Sequence, residues 1–280
     1  MSAPNTETMP HDPLFLATAT EAVLRAGEIQ LAQFRQAIEV KKKGAIDLVT
    51  EVDVAVERMF RALVADRFPD HAVLAEELQS ADDGQTDASH VWIFDPVDGT
   101  TNYAHGLPIF CASLALEIDG VVEVAAVYDP TRRELFTAER GAGAFLNGEP
   151  LRVSQTTTVL DALLCTGFPY DVHESLDEVM AFFIAFVGRA RAVRRLGSAA
   201  LDLCYVAAGR LDGFWESRLQ PWDTAAGALI TEEAGGTVTR WDGSRCASRD
   251  TELVASNGAL HPAMLEVLQT VGKERARLRT

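Results

Sequence analysis

Apolar residues first recur at helical spacing. Across residues 13–36, Leu16, Ala19, Val23, Ala26 and Phe34 approximate one stripe, which predicts a helix. A second helix is predicted over 53–68, where Val56, Met59, Phe60, Leu63 and Val64 share a face and Pro69-Asp70 follows the stop. Between them Lys41-Lys42-Lys43-Gly44 reads as a loop. The pattern then shortens. Runs at 71–75 and 91–94 predict strands that each end in carboxylates, and runs at 111–118 and 121–127 flank Asp119-Gly120, a two-residue hairpin signal. A strand at 134–138 and the glycines 141, 143 and 148 continue an antiparallel meander, and Pro150 closes this half. The second half alternates: strand 162–166, helix 176–187, a segment at 192–196, helix 198–208, strand 213–216 and helix 223–234. Gly235-Gly236 stops that helix, strands at 237–241 and 253–256 follow, and a last helix begins at 262. Such alternation predicts a sheet covered by helices.

Composition narrows the functional classes. The 280 residues are 48% hydrophobic and 24% charged, enough to bury a core without disulfides or a structural metal. Lys+Arg number 25 against 41 Asp+Glu, a net charge of −16. That balance argues against a general nucleic-acid binder and against a binder of anionic membranes. An anionic substrate stays open, provided a cation sits between it and the protein. Cys111, Cys165, Cys204 and Cys246 form no C-x-x-C pair, so reduced thiols in a cytoplasmic protein are expected. Residues 1–13 lack the basic start and apolar centre of a signal peptide, and the longest apolar run, 181–187, is short of a membrane span.

The segment Trp92-Ile93-Phe94-Asp95-Pro96-Val97-Asp98-Gly99-Thr100-Thr101-Asn102 carries the strongest chemical signal. An apolar strand delivers Asp95, Pro96 is expected to end sheet pairing, and Asp98 follows on the same loop. Carboxylates this close repel unless something positive lies between them, and short-spaced Asp residues suit Mg²⁺. Gly99-Thr100-Thr101 is expected to open a helix whose free N–H groups attract an anion beside the metal. Metal plus helix N-terminus suggests a phosphate ester. The competing local reading is an Asx turn with an N-cap. Other carboxylates have bland readings when taken singly: Glu76-Glu77 as a solvated strand end, Asp53 or Thr50 as a helix cap, Asp223 as the N-cap of a helix. The small residues Ala225-Ala226-Gly227-Ala228 would let that helix pack closely on a neighbour.

Together these segments resemble the inositol monophosphatase family of metal-dependent phosphomonoesterases, over about residues 22–268. The first signature is the Trp92–Asn102 segment. The second is Trp222-Asp223-Thr224-Ala225-Ala226-Gly227-Ala228 with Glu233-Ala234-Gly235-Gly236 downstream. Asp47-Leu48-Val49-Thr50-Glu51-Val52-Asp53, Ala75-Glu76-Glu77 and Gly197-Ser198-Ala199-Ala200 add support. The resemblance implies a mixed α+β and α/β layered αβαβα sandwich. Residues 1–150 would form an N-terminal α+β domain carrying most metal ligands, and 151–280 a C-terminal α/β domain completing the site. It implies Glu76, Asp95 and the Val97 carbonyl as ligands of one Mg²⁺, Asp95, Asp98 and Asp223 as ligands of a second, and a weaker third ion touching Glu76. Thr100, helped by Asp47, would orient and deprotonate the attacking water, with Glu76 counted among the catalytic residues. The Gly99 and Thr100 N–H groups would hold phosphate oxygens, and Asp98, Ala199 and Glu216 would contact hydroxyls of the alcohol part. Ala75 and Leu78 depart from the family pattern, where glycine and a small polar residue are common; neither removes a ligand.

The implied activity is Mg²⁺-dependent, Li⁺-inhibited hydrolysis of myo-inositol 1-phosphate and related sugar or polyol phosphates, in line and without a covalent intermediate. Alternatives within the family are fructose 1,6-bisphosphate, histidinol phosphate and 3′-phosphoadenosine 5′-phosphate. A different class is binding to the transcription machinery, as some bacterial relatives do. A homodimer is expected, with no membrane or nucleic-acid partner. The remaining features read as structural. Gly141-Ala142-Gly143 is a turn, His105 has no ligand role, and 273–279 is a solvated helix end. Lys41–Lys43 is a solvated loop, with a substrate-side role as the lesser reading. Arg189, Arg191, Arg194 and Arg195 form a solvated or subunit-interface face rather than a second phosphate site.

Overall fold

The computed structural model describes residues 12–36, 40–42, 48–78 and 88–278. Helix α1 (Pro13–Gln33) begins with Pro13 in the first turn and Asp12 Oδ1 accepting from the Leu14 N–H at 2.9 Å. It buries Phe15, Ala19, Ala22, Val23 and Ala26. Residue Gly27 lies where a Cβ would fall 2.5 Å from the Tyr128 ring, so helix and sheet approach closely there. The helix ends three residues before the expected Gln36, and Phe34 instead packs on Phe110 and Tyr103. Strands β1 (Val40–Lys42) and β2 (Leu48–Thr50) pair antiparallel, so Lys41 and Lys42 stand on an exposed strand rather than in a loop. Lys43 lies outside the described residues. Helix α2 (Glu51–Arg67) starts with a capping box, in which the Thr50 side chain and the third helical residue, Asp53, satisfy each other's N–H groups.

A seven-stranded sheet follows in the order β3 (Ala72–Ala75), β4 (His90–Asp98), β5 (Cys111–Ile118), β6 (Val121–Asp129), β7 (Glu134–Glu139), β8 (Gly143–Leu146), β9 (Glu149–Pro150). Only β3–β4 is parallel; the rest is the antiparallel meander expected. The Asp119-Gly120 turn has both residues at positive φ, 49° and 80°, as a hairpin turn of that type requires. Short helix α3 (Thr100–Ala104) links β4 to β5.

The rest of the chain builds a smaller sheet from β10 (Leu163–Thr166), β11 (Ala192–Arg194), β12 (Gly213–Ser217), β13 (Thr237–Thr239) and β14 (Glu252–Ser256), ordered β11-β10-β12-β14-β13. Its helices are α4 (Val172–Val187), α5 (Ala199–Ala207), α6 (Pro221–Glu233) and α7 (His261–Leu278). Helix α4 starts four residues earlier than its apolar stripe, and Ser175 interrupts it with non-helical dihedrals.

Packing sorts these elements into five layers. Helices α1 and α2 cover one face of the large sheet around Phe60, Trp92, Phe94 and Leu114. Helices α5 and α6 lie between the sheets, sharing a core that runs from Ile93 and Ala125 to Phe214 and Ala255. Helices α4 and α7 cover the outer face of the small sheet, where Trp215 stacks on Phe186 at 4.0 Å. The αβαβα sandwich is therefore the observed fold. The small residues of α6 act as expected: a Cβ on Gly227 would fall 2.6 Å from Leu203 of α5.

Candidate active site

Strand register brings the first acidic residues together. Strands β3 and β4 run parallel with Ala75 opposite Phe94, so the next residue of each, Glu76 and Asp95, leave the sheet edge side by side. Pro96 does not end β4. The strand bulges: Asp95 pairs with Ser113 and Asp98 resumes pairing at Cys111, leaving Pro96 and Val97 outside the ladder. Proline has no N–H to lose there. Its carbonyl accepts from Gln30 Nε2 of α1 at 2.7 Å, and Asp95 Oδ1 accepts from the Val97 N–H at 2.9 Å. The bulge delivers two buried aspartates to one small volume.

The layer between the sheets brings the rest. Asp98 Oδ2 accepts from Ser198 Oγ at 2.6 Å and from the Ala200 N–H at 2.8 Å, at the start of α5. A carboxylate from the large sheet thus faces the positive end of a helix on the other side of the cleft. Asp223 is the third residue of α6, not its cap; its Oδ2 accepts from the Gln220 N–H at 2.7 Å. Gly99 adopts φ 98°, and a Cβ there would meet the Ile109 carbonyl at 2.8 Å, so glycine is required. It opens α3 as expected. Thr100 Oγ1 donates to the Val97 carbonyl at 2.9 Å, with Asp53 Oδ1 at 3.3 Å.

The cleft between the sheets has a volume of about 90 Å³ accessible to water, room for several waters or a phosphate group. Asp98, Gly99, Thr100, Ala199, Glu216 and Asp223 line it. Asp95 and Val97 lie beneath, 2% and 0% exposed. Half-buried Glu76 follows β3 beside Asp95. Asp47 lies outside the described residues; among the described residues Asp53 stands beside Thr100. Taken singly, Asp53 reads as a cap, and it does cap; nothing in its local pattern signals the second contact. Three further supports had no sequence signal of their own. Glu57 Oε2 and Oε1 accept from the Glu77 and Leu78 N–H groups at 2.7 and 3.0 Å, fixing the loop after Glu76. Gln30 holds the bulge. Asp202, buried at 1% exposure, lines the cleft with Oδ1 unpartnered by any protein group.

Electrostatics unite these residues. Burial, then Glu76, Asp98, Asp223 and Asp53, push the Asp95 carboxyl well above the usual carboxylate range. Asp98 is raised by burial against the opposing pull of its hydrogen bonds from Ser198 and the α5 backbone. Asp223 is raised well above its usual value, by burial first, with Asp98, Glu76 and Glu216 adding to it against the Gln220 N–H. Glu216 is pushed up to about 8 by burial and Asp202, with Arg195 pulling the other way. Among the described residues, no three carboxylate, imidazole or thiolate side chains are gathered tightly enough to hold an ion as they stand. They face one another and repel. The donor chemistry fits a hard divalent cation: carboxylates and the Val97 carbonyl, all oxygen, in a partly enclosed space.

A cleft between two sheets, walled by converging carboxylates at the end of a bulged strand, suits a site that binds a metal cation. The chain belongs to the inositol monophosphatase family, whose model matches residues 13–273. It is 44% identical over 255 residues to an inositol-1-monophosphatase of Synechocystis, covering 91% of this chain and 88% of that one. It is 43% identical over 258 residues to a protein of Pseudomonas aeruginosa named Nus factor SuhB, covering 91% and 95%. The solved inositol monophosphatase of Anabaena superposes with a TM-score of 0.83 at 41% identity, covering 92% of this chain and 96% of that chain. The family is metal-dependent and its activity supports a phosphatase here. Among the described residues no helix is long and apolar enough to cross a membrane, and all four cysteines are free thiols.

Proposed function

We propose that the protein is a Mg²⁺-dependent phosphomonoesterase acting on myo-inositol 1-phosphate and related sugar or polyol phosphates. The observation that carries this is the convergence of Asp95, Glu76, Asp98 and Asp223 on one cleft, where a bound divalent cation would offset their mutual repulsion at neutral pH without requiring them to take up protons. Glu76, Asp95, Asp98, Asp223 and the Val97 carbonyl would hold two or three Mg²⁺. Bound Mg²⁺ would offset the charge of carboxylates and phosphate together and lower the pKa of a nearby water. Thr100 would orient the attacking water, its hydroxyl passing a proton toward Asp53 or Asp47. Gly99 and Thr100 N–H groups would steady the phosphate oxygens. Water oxygen bonds to phosphorus as the ester P–O bond breaks in line, and the departing alkoxide takes its proton from water in the cleft. Asp98, Ala199 and Glu216 would meet the hydroxyls of the alcohol. Division at residue 150 into two cooperating domains, cytoplasmic location and a homodimer belong to the same reading. The exposed apolar side chains of α4, Ile184 at 67% and Leu176 at 52%, support the dimer.

The test is phosphate release with Mg²⁺ from inositol 1-phosphate, fructose 1,6-bisphosphate, histidinol phosphate and 3′-phosphoadenosine 5′-phosphate, with Asp95→Asn as control. Activity abolished by chelator and by the substitution supports the reading. Silence across the panel from folded, Mg²⁺-loaded protein sinks it. The similarity to a relative named as a Nus factor supports a second reading, binding to the transcription machinery. Capture of RNA polymerase that Asp95→Asn leaves intact would favour it.

A further inference from the structure

The three aspartates of the cleft are held by different sets of donors. Asp95 Oδ1 accepts from the Val97 N–H at 2.9 Å, and Asp223 Oδ2 accepts from the Gln220 N–H at 2.7 Å, each a single donor from the same stretch of chain. Asp98 differs. Its Oδ2 accepts from Ser198 Oγ at 2.6 Å and from the Ala200 N–H at 2.8 Å, with Cys111 Sγ a weaker third donor at 3.7 Å. Ser198 and Ala200 stand at the start of α5, on the far side of the cleft from β4. A carboxylate oxygen has two lone pairs, and at Oδ2 both are taken. Among the described residues no donor reaches Oδ1, and Asp98 lines the cleft.

The direction of the Ser198 hydroxyl is fixed as well. It has one proton, and its oxygen accepts from the Leu201 N–H at 3.4 Å as the N-cap of α5, so the proton goes to Asp98. Ser198 is buried, and the segment before it is pinned from the Asp98 side. Asn102 Nδ2, on α3, donates to the Leu196 carbonyl at 2.8 Å and to the Gly197 carbonyl at 3.4 Å. Carboxylate and donor thus meet in one orientation, with Oδ2 turned to α5 and Oδ1 left to the cleft.

We propose that Ser198 is a positioning residue that restricts Asp98 to one metal-facing oxygen and thereby selects Mg²⁺ over Ca²⁺. This rests on the reading of Asp98 as a metal ligand given above. Mg²⁺ is small and demands a near-octahedral set of single oxygens. Ca²⁺ is larger, takes more ligands and accepts both oxygens of one carboxylate. An Asp98 whose second oxygen is committed to α5 meets the first demand and not the second. Removing the Ser198 hydroxyl frees a lone pair of Oδ2 and lets the carboxylate turn. Mg²⁺ then loses a preoriented ligand, while Ca²⁺ gains a second oxygen.

The test is calorimetric titration of Mg²⁺ and, separately, of Ca²⁺ into the chelator-treated full chain, wild type against Ser198→Gly, Ser198→Ala and Ser198→Thr. Glycine caps a helix nearly as well as serine, so loss of the hydroxyl is separated from loss of the cap. Ser198→Gly should weaken Mg²⁺ binding about tenfold and leave Ca²⁺ binding equal or tighter, so that the ratio of the Ca²⁺ Kd to the Mg²⁺ Kd falls by about tenfold or more. Ser198→Ala should shift the ratio the same way even if its Tm in chelator drops with the cap. Threonine keeps the hydroxyl and should hold the ratio near the wild-type value. A merely structural role weakens both ions alike. An equal loss for the two ions, or a ratio unmoved by glycine and alanine in protein that binds Mg²⁺, overturns the role of Ser198 and leaves the phosphatase reading intact. A wild type that binds no Mg²⁺ and releases no phosphate from inositol 1-phosphate removes that reading, and the role of Ser198 with it.

Discussion

Buried carboxylates occur in two settings in this molecule, and the contrast separates structure from chemistry. In the first, each is met by donors. Asp129 accepts from the Thr131 N–H at 2.9 Å, Thr131 Oγ1 at 2.7 Å, the Arg132 N–H at 3.1 Å and Arg132 Nη1 at 2.8 Å. Glu57 takes Arg61 Nε at 2.8 Å with two loop N–H groups, and Glu117 takes Arg249 and Ser248. In the second, at the end of β4, equally buried Asp95 faces Glu76, Asp98, Asp223 and Asp53 with no arginine among the causes that shift it. Burial alone therefore says little about a carboxylate. What marks the cleft is that neighbouring charges there have the same sign, an arrangement that folded proteins concentrate at binding and catalytic sites.

The largest effect expected from this contrast is opposite in sign for two similar substitutions. Asp95→Asn should lower kcat/KM with Mg²⁺ by about 10³-fold or more, yet raise the stability of chelated protein at pH 7–8 by about 1–2 kcal/mol, because it removes a repelled charge. Asp129→Asn should destabilise by about 1–2 kcal/mol, because it weakens the hydrogen bonds that the buried carboxylate takes from Thr131 and from half-exposed Arg132, while the folded fraction turns over within about threefold of wild type. Urea titrations and phosphate release read both; destabilisation by Asp95→Asn in chelator would erase the contrast.

Next in size is the response to the ion. At 100 times its Kd, Mg²⁺ should stabilise the wild type by about 2.7 kcal/mol, seen as a rise in Tm, and Asp95→Asn should lose most of that rise. An equal rise in both would mean that the ion binds elsewhere.

A pH series sharpens the comparison at Glu216. Its folded pKa is raised from 4.5 to about 8, so the folded state binds the proton more tightly than the unfolded state does. The destabilisation this causes is absent below the unfolded pKa, grows as pH rises above 4.5, and levels off past about 8. Glu216→Gln in chelator should match wild type near pH 4 and exceed it by about 1–3 kcal/mol at pH 8, after discounting for partial solvent contact. A constant offset across the series would contradict the assignment.

The smallest effect concerns the link between the two sheets. Asn102 Nδ2 donates to the Ile109 carbonyl at 2.9 Å and the Leu196 carbonyl at 2.8 Å, tying α3 to the segment before α5. Asn102→Ala should cost about 1–2 kcal/mol and raise KM more than it lowers kcat, since it loosens the cleft wall without touching the carboxylates.

Much of this was legible along the chain. Phe60 and Val64 marked the buried face of α2, Asp119-Gly120 marked a hairpin, and Gly99-Thr100-Thr101 marked a helix start. Thr50 and Asp53 were readable as a cap because the partners lie three residues apart. Pro96 misled. Read locally it ends a strand; in the fold it occupies a bulge whose carbonyl is held by Gln30, 66 residues earlier. Lys41 and Lys42 read as a loop because three consecutive lysines bury nothing, yet β2 pairs with them through the backbone. Asp53 beside Thr100 and Ser198 beneath Asp98 had no local signal, since each depends on a partner 47 residues or more away.

The division has a physical origin. Caps, turns and apolar stripes depend on residues within about four positions of one another, so the order of side chains specifies them before any folding. The family motifs belong here too, because they are strings of such local devices. The meeting of Glu76, Asp95, Asp98, Glu216 and Asp223 depends instead on the β3–β4 register, on the bulge, and on α5 and α6 lying between two sheets. The repulsion that defines the site exists only after that assembly, because it requires both the proximity of the charges and the exclusion of the water that would otherwise screen them.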